Sequence, residues 1–220
     1  MKSVAFLHTA DAHIATFDKL FESAALDIVR THAAHPEWLS EAQKSGLSED
    51  LRARVTALLI DQARCSDAVL CTCSTIGPIA DQVAATHKNV FRIDRPLMER
   101  ASQHNGSILV AICVESTLKP TIDLLTDVFE GNGKVLDYKI VRCDAAWPHF
   151  WAGEMEAFGT KIASAIKQAC EASSKLGCVV LAQASMAAAQ PYLADLEIPV
   201  YASPSAALDT ILQSINTDKS

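Results

Sequence analysis

Short apolar runs alternate with longer amphipathic stretches along this chain. The runs are mostly β-branched and continuous over about four to six residues, which is typical of parallel strands buried on both faces. They lie at Val4–Leu7, Asp67–Cys71, Val90–Ile93, Ile108–Cys113, Val135–Val141, Cys178–Leu181 and Pro199–Tyr201. We predict a strand at each of these positions.

Helices are predicted between the strands. Ser48 is a candidate N-cap, and Leu51, Val55 and Leu59 follow it on one face at helical spacing. Similar stretches lie at Thr117–Phe129, Glu154–Ser174 and Ser203–Ile215. The polar segment His35–Glu49 is predicted to be a surface loop, or a short helix and loop. This alternation predicts an α/β fold with a mostly parallel sheet.

An internal repeat divides the chain into halves. Three segments of the first half parallel three of the second, in the same order and at offsets of about 100 to 110 residues. The pairs are Lys2–Thr9 with Gly106–Ile112, Asp67–Thr75 with Gly177–Ser185, and Val90–Pro96 with Ile198–Pro204. We predict two similar α/β lobes, residues 1–100 and 101–203, with a C-terminal helix over 204–220 that returns to the first lobe.

Composition and charge restrict the functional class. Half of the 220 residues are apolar and 20% are charged, which excludes wholesale disorder. A net charge of −7 argues against nucleic acid or an anionic membrane as a partner. Seven cysteines form no disulfide-framework pattern, and no apolar run reaches the roughly 18 residues of a membrane span. We expect a reduced, soluble, cytoplasmic protein.

Candidate chemistry lies just after the predicted strands, because open parallel sheets bind ligands beyond the carboxyl ends of their strands. The residues there include His8, Thr9, Asp11, Cys73, Ser74, Thr75, Thr117, Gln183, Ala184 and Ser185. Cys73 is the outstanding nucleophile or base. We expect Ser74 and Thr75 to open the next helix, whose N-terminus would lower the pKa of the thiol. Alternatively, Cys73 is a small residue that fills a tight turn.

The motifs around these positions resemble the aspartate/glutamate racemase superfamily. Val69–Thr75 is similar to its first cysteine motif, and Val179–Met186 is similar to the matching motif of its second lobe. Ser116–Thr121 resembles its carboxylate-binding loop, and Arg92–Met98 resembles its interlobe segment. The resemblance covers nearly the whole chain and agrees with the internal repeat.

The resemblance implies two flavodoxin-like lobes, related by pseudo-twofold symmetry, that enclose a small carboxylate substrate in the cleft between them. It also implies catalysis without a cofactor or metal, and it is compatible with a homo-oligomer. Racemases of this family use two cysteines on opposite faces of the chiral carbon, one as thiolate and the other as thiol.

This sequence departs from that pattern at Gln183, which stands at the second cysteine position. An amide cannot take a proton from carbon at neutral pH. The second base is then another group, such as Cys71, His8, His13 or Asp11, or the enzyme uses one thiol for decarboxylation or cis–trans isomerisation. In the one-thiol case Gln183 would donate hydrogen bonds to a developing oxyanion or carboxylate. A third alternative is a protein that binds a carboxylate without turning it over.

We therefore predict a racemase or isomerase of a small amino acid or dicarboxylate. Its candidate catalytic residues are Cys73, Gln183 and His8. Its candidate substrate-binding residues are Thr9, Asp11, Ser74, Thr75, Thr117, Thr121, Ala184 and Ser185. We predict no metal site, since His32 and His35, three residues apart, have no nearby carboxylate that would complete a ligand set.

Overall fold

The computed structural model describes residues 1–23 and 27–217 of the chain. The chain divides into two compact units, the first comprising Met1–Ile93 and the chain from Pro204 onward, and the second Asp94–Ser203. The elements of the first unit are β1 (Lys2–His8), α1 (Ala12–Ser23), β2 (Ile28–Ala34), α2 (Pro36–Ser45), α3 (Glu49–Cys65), β3 (Ala68–Cys71), α4 (Gly77–Ala84) and β4 (Val90–Arg92).

The second unit repeats this alternation of strands and helices. Its elements are α5 (Arg95–Ala101), β5 (Ser107–Ile112), α6 (Glu115–Gly131), β6 (Tyr138–Arg142), a 3-10 helix (Asp144–Ala146), α7 (Trp147–Trp151), α8 (Met155–Glu171), β7 (Leu176–Leu181), a second 3-10 helix (Ala184–Leu193) and β8 (Val200–Ala202). The last helix, α9 (Ser203–Thr217), begins where the second unit ends and otherwise belongs to the first. Residues 218–220 of the predicted C-terminal helix lie outside the described residues.

The two sheets have the same strand order. Within the described residues the first sheet runs β2-β1-β3-β4 and the second β6-β5-β7-β8, and every pairing is parallel. The strands that the sequence repeat matched, β1 with β5, β3 with β7 and β4 with β8, occupy equivalent places in the two sheets. The predicted fold class, α/β with two similar parallel-sheet lobes, is confirmed, and the 2-1-3-4 order is that of flavodoxin-like sheets.

The core of the first unit forms where α3 and α4 cover one face of the sheet. Ser48 caps α3 as predicted, because its hydroxyl accepts the N–H of Leu51 at 3.2 Å. Leu51, Val55 and Leu59 are fully buried in one cluster with residues of β1 and β3. The periodic apolar face of α3 therefore fixes how it packs on the sheet.

Some predicted bounds were wrong. No strand was predicted at β2, an edge strand whose residues are at most partly buried. The strand expected from Val135 begins at Tyr138, since its pairing with β5 starts there and Val135 is exposed. The segment His35–Glu49 contains a ten-residue helix, α2, which agrees with the helix-and-loop alternative.

The boundary between the units lies nearer the N-terminus than the expected residue 100. The chain passes from one unit to the other between Ile93 and Asp94, so that α5 belongs wholly to the second unit. The reason is packing: α5 contacts α6, β7 and β8, and its Leu97 and Met98 are fully buried.

No helix among the described residues is long and apolar enough to cross a membrane.

Candidate functional site

Cys73 lies in a tight turn beyond the carboxyl end of β3. The strand ends at Cys71, and the turn over residues 74–76 leads into α4 at Gly77. The Cys73 sulfur receives hydrogen bonds from the hydroxyls of Thr9 and Thr75 and from the backbone N–H groups of Thr75 and Ile76. Donors arranged in this way stabilise a thiolate more than a thiol. The sequence-predicted residues Thr9, Cys73 and Thr75 are thus in direct contact.

The ionisation of Cys73 differs from the expectation. Burial raises the pKa of the Cys73 thiol above its usual value, and the hydrogen bonds from Thr9, Ile76 and Thr75 only partly offset this effect. Ser74 and Thr75 do not open the next helix, because α4 begins two residues after Thr75. The predicted lowering of the thiol pKa by a helix N-terminus was therefore wrong.

The shape of the Cys73 turn depends on a close contact between Gly77 and Arg92. A Cβ atom at Gly77 would lie 2.6 Å from Nε of Arg92, which is too close for any side chain. Arg92 is buried at the end of β4, and its guanidinium donates to Asp81 of α4 at 2.9 Å. The cation therefore cannot easily move aside, and only glycine fits at the first position of α4.

His8 at the end of β1 is fully buried, and both ring nitrogens make hydrogen bonds. Nδ1 lies 2.8 Å from the Thr72 hydroxyl and Nε2 lies 2.9 Å from Nδ1 of His32. Burial, together with the nearby His13 and His32, lowers the pKa of His8 to about 3. Since neither nitrogen is left to take a proton from substrate, these contacts favour a positioning role over direct catalysis by His8.

The other groups considered as a second base are no better placed. The Cys71 sulfur is buried in β3 and lies 3.8 Å from the carbonyl oxygen of Cys73. Burial lowers the pKa of His13 to about 4, which makes it a weak base. Asp11 is exposed in the turn before α1, and its side chain makes no hydrogen bond to the described residues.

Gln183 lies at the equivalent place in the second unit, just after β7. Its side-chain oxygen accepts the backbone N–H groups of Cys113 at 2.6 Å and Val114 at 3.0 Å. Only an oxygen can accept two N–H groups, so the amide orientation is fixed and its NH₂ group is left as a donor. Within the described residues this NH₂ group has no protein partner and is not buried.

The same contact occurs in both units with different chemistry. In the first unit Thr9, after β1, donates its hydroxyl to Cys73, two residues after β3. In the second unit Cys113, after β5, donates its N–H to Gln183, two residues after β7. The sequence match of Cys73 with Gln183 is thus also a match of position within the fold.

The other predicted residues of the second unit are small and lie on the elements that follow β5 and β7. Thr117 and Thr121 are buried on α6, while Ala184 and Ser185 are buried at the start of the second 3-10 helix. The Thr117 N–H donates to the carbonyl of Val114 at 3.0 Å, which places the first turn of α6 beside the residues that hold Gln183. The Thr121 hydroxyl is buried and has no hydrogen-bond partner among the described residues.

Trp147 and Phe150, which flank Pro148, pack against each other and against α8 in the second unit. Trp147 and Phe150 of α7 stack at 4.7 Å, and Phe150 lies 5.5 Å from Phe158 of α8. This cluster fixes α7 on α8. Within residues 1–23 and 27–217, no group of three or more His, Cys, Asp or Glu residues is arranged to hold a metal ion.

Three contacts of the site were missed from the sequence. Thr72 and Arg92 border the Cys73 turn, and His32 contacts His8 from a strand that was not predicted. His32 lies in β2, and His35 follows the strand, where it stacks on Trp38. The expectation that no carboxylate lies near them was wrong, because Asp18 lies 3.3 Å from His32 and Glu37 lies 2.8 Å from His35. The one available signal was the position of Thr72 directly after a predicted strand.

The sequence matches no family model, and no curated protein sequence matches it. Solved structures do match its fold. A glutamate racemase from Francisella tularensis in complex with D-glutamate superposes with a TM-score of 0.71 at 14% identity, covering 99% of this chain and 82% of that one. The aspartate racemase from Picrophilus torridus gives 0.67 at 14% identity, covering 98% and 95%. A variant of arylmalonate decarboxylase in a sulfate-associated form gives 0.62 at 12% identity, covering 97% and 93%.

Proposed function

The chain has the fold of the aspartate/glutamate racemase superfamily, and from this premise we propose that it is a cofactor-independent racemase or isomerase acting on a small carboxylate. The observation that carries the proposal is the set of donors on the Cys73 sulfur, supplied by Thr9, Thr75 and Ile76. A cysteine that only filled a turn would have no need of four hydrogen bonds to its sulfur. These donors instead suit a thiol that becomes an anion during the reaction.

In the proposed reaction the Cys73 thiolate removes a proton from the carbon next to the substrate carboxylate. The S–H bond forms, the C–H bond breaks, and its electron pair moves onto the carboxylate as an enolate. Because burial raises the pKa of Cys73, its thiolate is scarce at neutral pH but is a strong base once formed. The activity is therefore expected to rise with pH between 7 and 9.

The substrate carboxylate would be bound by hydroxyl and backbone donors near the strand ends. The proposed binding residues are Thr9, Asp11, Ser74, Thr75, Thr117, Thr121, Ala184 and Ser185. Asp11 can serve only by accepting hydrogen bonds, for example from an ammonium group of an amino acid. The NH₂ group of Gln183 is the proposed donor to the oxygen on which charge develops.

The test of this proposal is a substrate panel of D- and L-amino acids, maleate and arylmalonates, with products separated by chiral chromatography. The wild-type protein is expected to convert one class, and Cys73→Ala is expected to lose at least about a thousandfold in kcat. Equal turnover by both proteins would contradict the assignment of Cys73. No turnover, with a carboxylate that raises the melting temperature, would identify a binding protein instead.

A second candidate is one-thiol chemistry, either decarboxylation or cis–trans isomerisation. The observation that favours it is the fixed amide of Gln183, whose oxygen is held by Cys113 and Val114 so that it can donate but cannot act as a base. Here Cys73 alone would deliver a proton or add to the substrate, and the product would form without racemisation.

Gln183→Cys distinguishes the two candidates, because it restores a second thiol. If the enzyme uses one thiol, the variant is expected to gain racemisation of a substrate that the wild type leaves optically intact. If the wild type already racemises and Gln183→Cys does not alter the rate, another group supplies the second proton. The control is Gln103→Cys, which adds a thiol at an exposed position of the same unit.

A further inference from the structure

A chain of hydrogen-bonded side chains crosses the first unit behind the Cys73 turn. It starts at Asp18 on α1, whose carboxylate lies 3.3 Å from Nε2 of His32 on β2. Nδ1 of His32 lies 2.9 Å from Nε2 of His8, and Nδ1 of His8 lies 2.8 Å from the Thr72 hydroxyl. The Asp18 side chain is partly exposed, whereas His8 and Thr72 are buried. These hydrogen bonds thus link an accessible carboxylate to the end of β3.

The direction of each hydrogen bond follows from the end at Thr72. The Thr72 hydroxyl donates its one proton to the carbonyl of Leu7 at 3.1 Å, so it can only accept from His8. Nδ1 of His8 must therefore carry a hydrogen. Since burial lowers the pKa of His8 to about 3, the ring is neutral at pH 7 and its Nε2 is an acceptor.

The charge of His32 follows from its two hydrogen-bond partners. Its Nδ1 must carry a hydrogen in order to donate to His8, and its Nε2 must carry one in order to donate to the Asp18 carboxylate. Burial opposes ionisation of Asp18, but hydrogen bonds from Arg30 and His32 lower its pKa overall, so it is an anion at neutral pH. His32 with hydrogens on both nitrogens is an imidazolium cation.

The packing around His32 suits a cation. Its ring stacks on Phe6 with centroids 4.8 Å apart and planes within 8°, which allows a cation–π interaction. The other charged or titratable groups near these two rings, among the described residues, are His13 and Asp18 of α1 and Arg30 of β2. Asp18 accepts from Arg30 at 2.8 Å and also faces His32, and Glu22 lies 3.9 Å from Arg30, so two carboxylates face the two cations.

The hydrogen-bonded series ends at Thr72, one residue before the proposed base. His8 directly precedes Thr9, Thr72 directly precedes Cys73, and the Thr9 hydroxyl binds the Cys73 sulfur. The β1–β3 ladder ends at Leu7 and Cys71, so the His8–Thr72 bond joins the two strands immediately beyond it. In the other His8 tautomer Nδ1 is an acceptor, so the Thr72 hydroxyl could keep this bond only by giving up its bond to Leu7. That exchange would loosen the alignment of Thr9 with the thiol.

We propose that His32, held as an imidazolium by Asp18, is a positioning residue that fixes His8 as its Nδ1–H tautomer and thereby aligns Thr9 with Cys73. The alignment matters for catalysis only if Cys73 is the base, so that part rests on the proposed function. The tautomer of His8 and the charge of His32 are properties of the folded chain and do not depend on any activity.

The first test is nitrogen NMR of the ¹⁵N-histidine-labelled protein at pH 7, with long-range correlations to the ring carbon-bound protons. His8 is expected to show a protonated Nδ1 and an unprotonated Nε2, and His32 to show two protonated nitrogens. A protonated Nε2 on His8, or a neutral His32, would overturn the proposal. This result is independent of whether the protein turns over any carboxylate, so a failure of the proposed function is seen separately.

The second test is the rate of Cys73 alkylation by iodoacetamide as a function of pH, in a Cys65→Ser background because Cys65 is exposed. His32→Phe removes the donor to His8 and is expected to raise the alkylation midpoint by about half a pH unit, which slows the reaction about threefold at pH 8. His32→Gln keeps a donor and is expected to recover most of the rate. His35→Gln is the control, because His35 is not part of the hydrogen-bonded series from Asp18 to Thr72. A His32→Phe profile identical to wild type would contradict the positioning role.

Discussion

At the scale of single residues, the ionisation of Cys73 depends on the balance between burial and hydrogen bonding. Burial raises the pKa of the thiol, and the donors from Thr9, Thr75 and Ile76 lower it by a smaller amount. The donors therefore act mainly on the anion that forms during the reaction rather than on the resting thiol. Because Cys65 is exposed, Cys73 is not expected to be the fastest cysteine to react without ligand.

Thr9→Val tests the contribution of one donor. The substitution removes the hydroxyl that binds the Cys73 sulfur while keeping a side chain of similar shape. Alkylation of Cys73 at pH 8 is expected to slow about tenfold, since a hydrogen bond to a charged group contributes roughly 1.5 kcal/mol. Thr160→Val is the control, because that exposed hydroxyl bonds only to carbonyls of its own helix. Equal slowing in both variants would show that the Thr9 bond is not responsible.

Stability should depend on pH through the buried histidines. The folded pKa values of His8 and His13 are about 3 and about 4, below their ordinary value of 6.5. The unfolded chain therefore binds more protons below pH 6.5, and stability present above that pH is lost as the pH falls. Between pH 6.5 and 5, the free energy of unfolding is expected to fall by roughly 2 kcal/mol for each of the two histidines.

His13→Leu isolates one of these contributions. The free energy of unfolding in urea is measured at pH 7.5 and at pH 5.0. The loss between these pH values is expected to be smaller in the variant than in the wild type by up to about 2 kcal/mol. The carboxylates with lowered pKa values, such as Asp18 and Asp67, act at lower pH and do not confuse this comparison. The same loss in both proteins would mean that His13 is not held neutral by the fold.

At the scale of secondary-structure elements, the sequence predicted best where burial is continuous. β1, β3, β5 and β7 were found from their apolar runs, because strands buried on both faces carry no polar interruption. β2 was missed since an edge strand mixes polar and apolar residues. The strand-end rule found Thr9, Cys73 and Thr75, but it could not find Arg92 or His32, whose roles come from contacts across the sheet.

The start of α4 is set by a contact that no local pattern reveals. Gly77→Ala is expected to destabilise the protein by about 1–3 kcal/mol, because the added methyl group meets the buried Arg92 side chain. It should also alter the alkylation rate of Cys73, whose turn ends at this residue. Gly131→Ala at the end of α6 is the control, since a Cβ there meets no atom within 4 Å. Chemical denaturation of both variants measures the difference, and equal stability would contradict the steric argument.

At the scale of the whole molecule, a repeat of about 110 residues gives two sheets of identical strand order. The order of the repeated segments was enough to predict this architecture, because each segment is a strand with the residues that follow it. The two units differ at the position after their third strand, where one has the Cys73 thiol and the other the Gln183 amide. This chemical asymmetry within a repeated fold is what separates the racemase and one-thiol proposals.

The proposed reaction begins when Cys73 removes a proton from the carbon next to a carboxylate. The most direct measurement is proton NMR of a carboxylate panel in deuterated water, with wild type and Cys73→Ala in parallel. The α-proton signal of one substrate is expected to disappear with wild type, as solvent deuterium replaces it, and to persist with the variant. Exchange at the same rate with both proteins would contradict the claim.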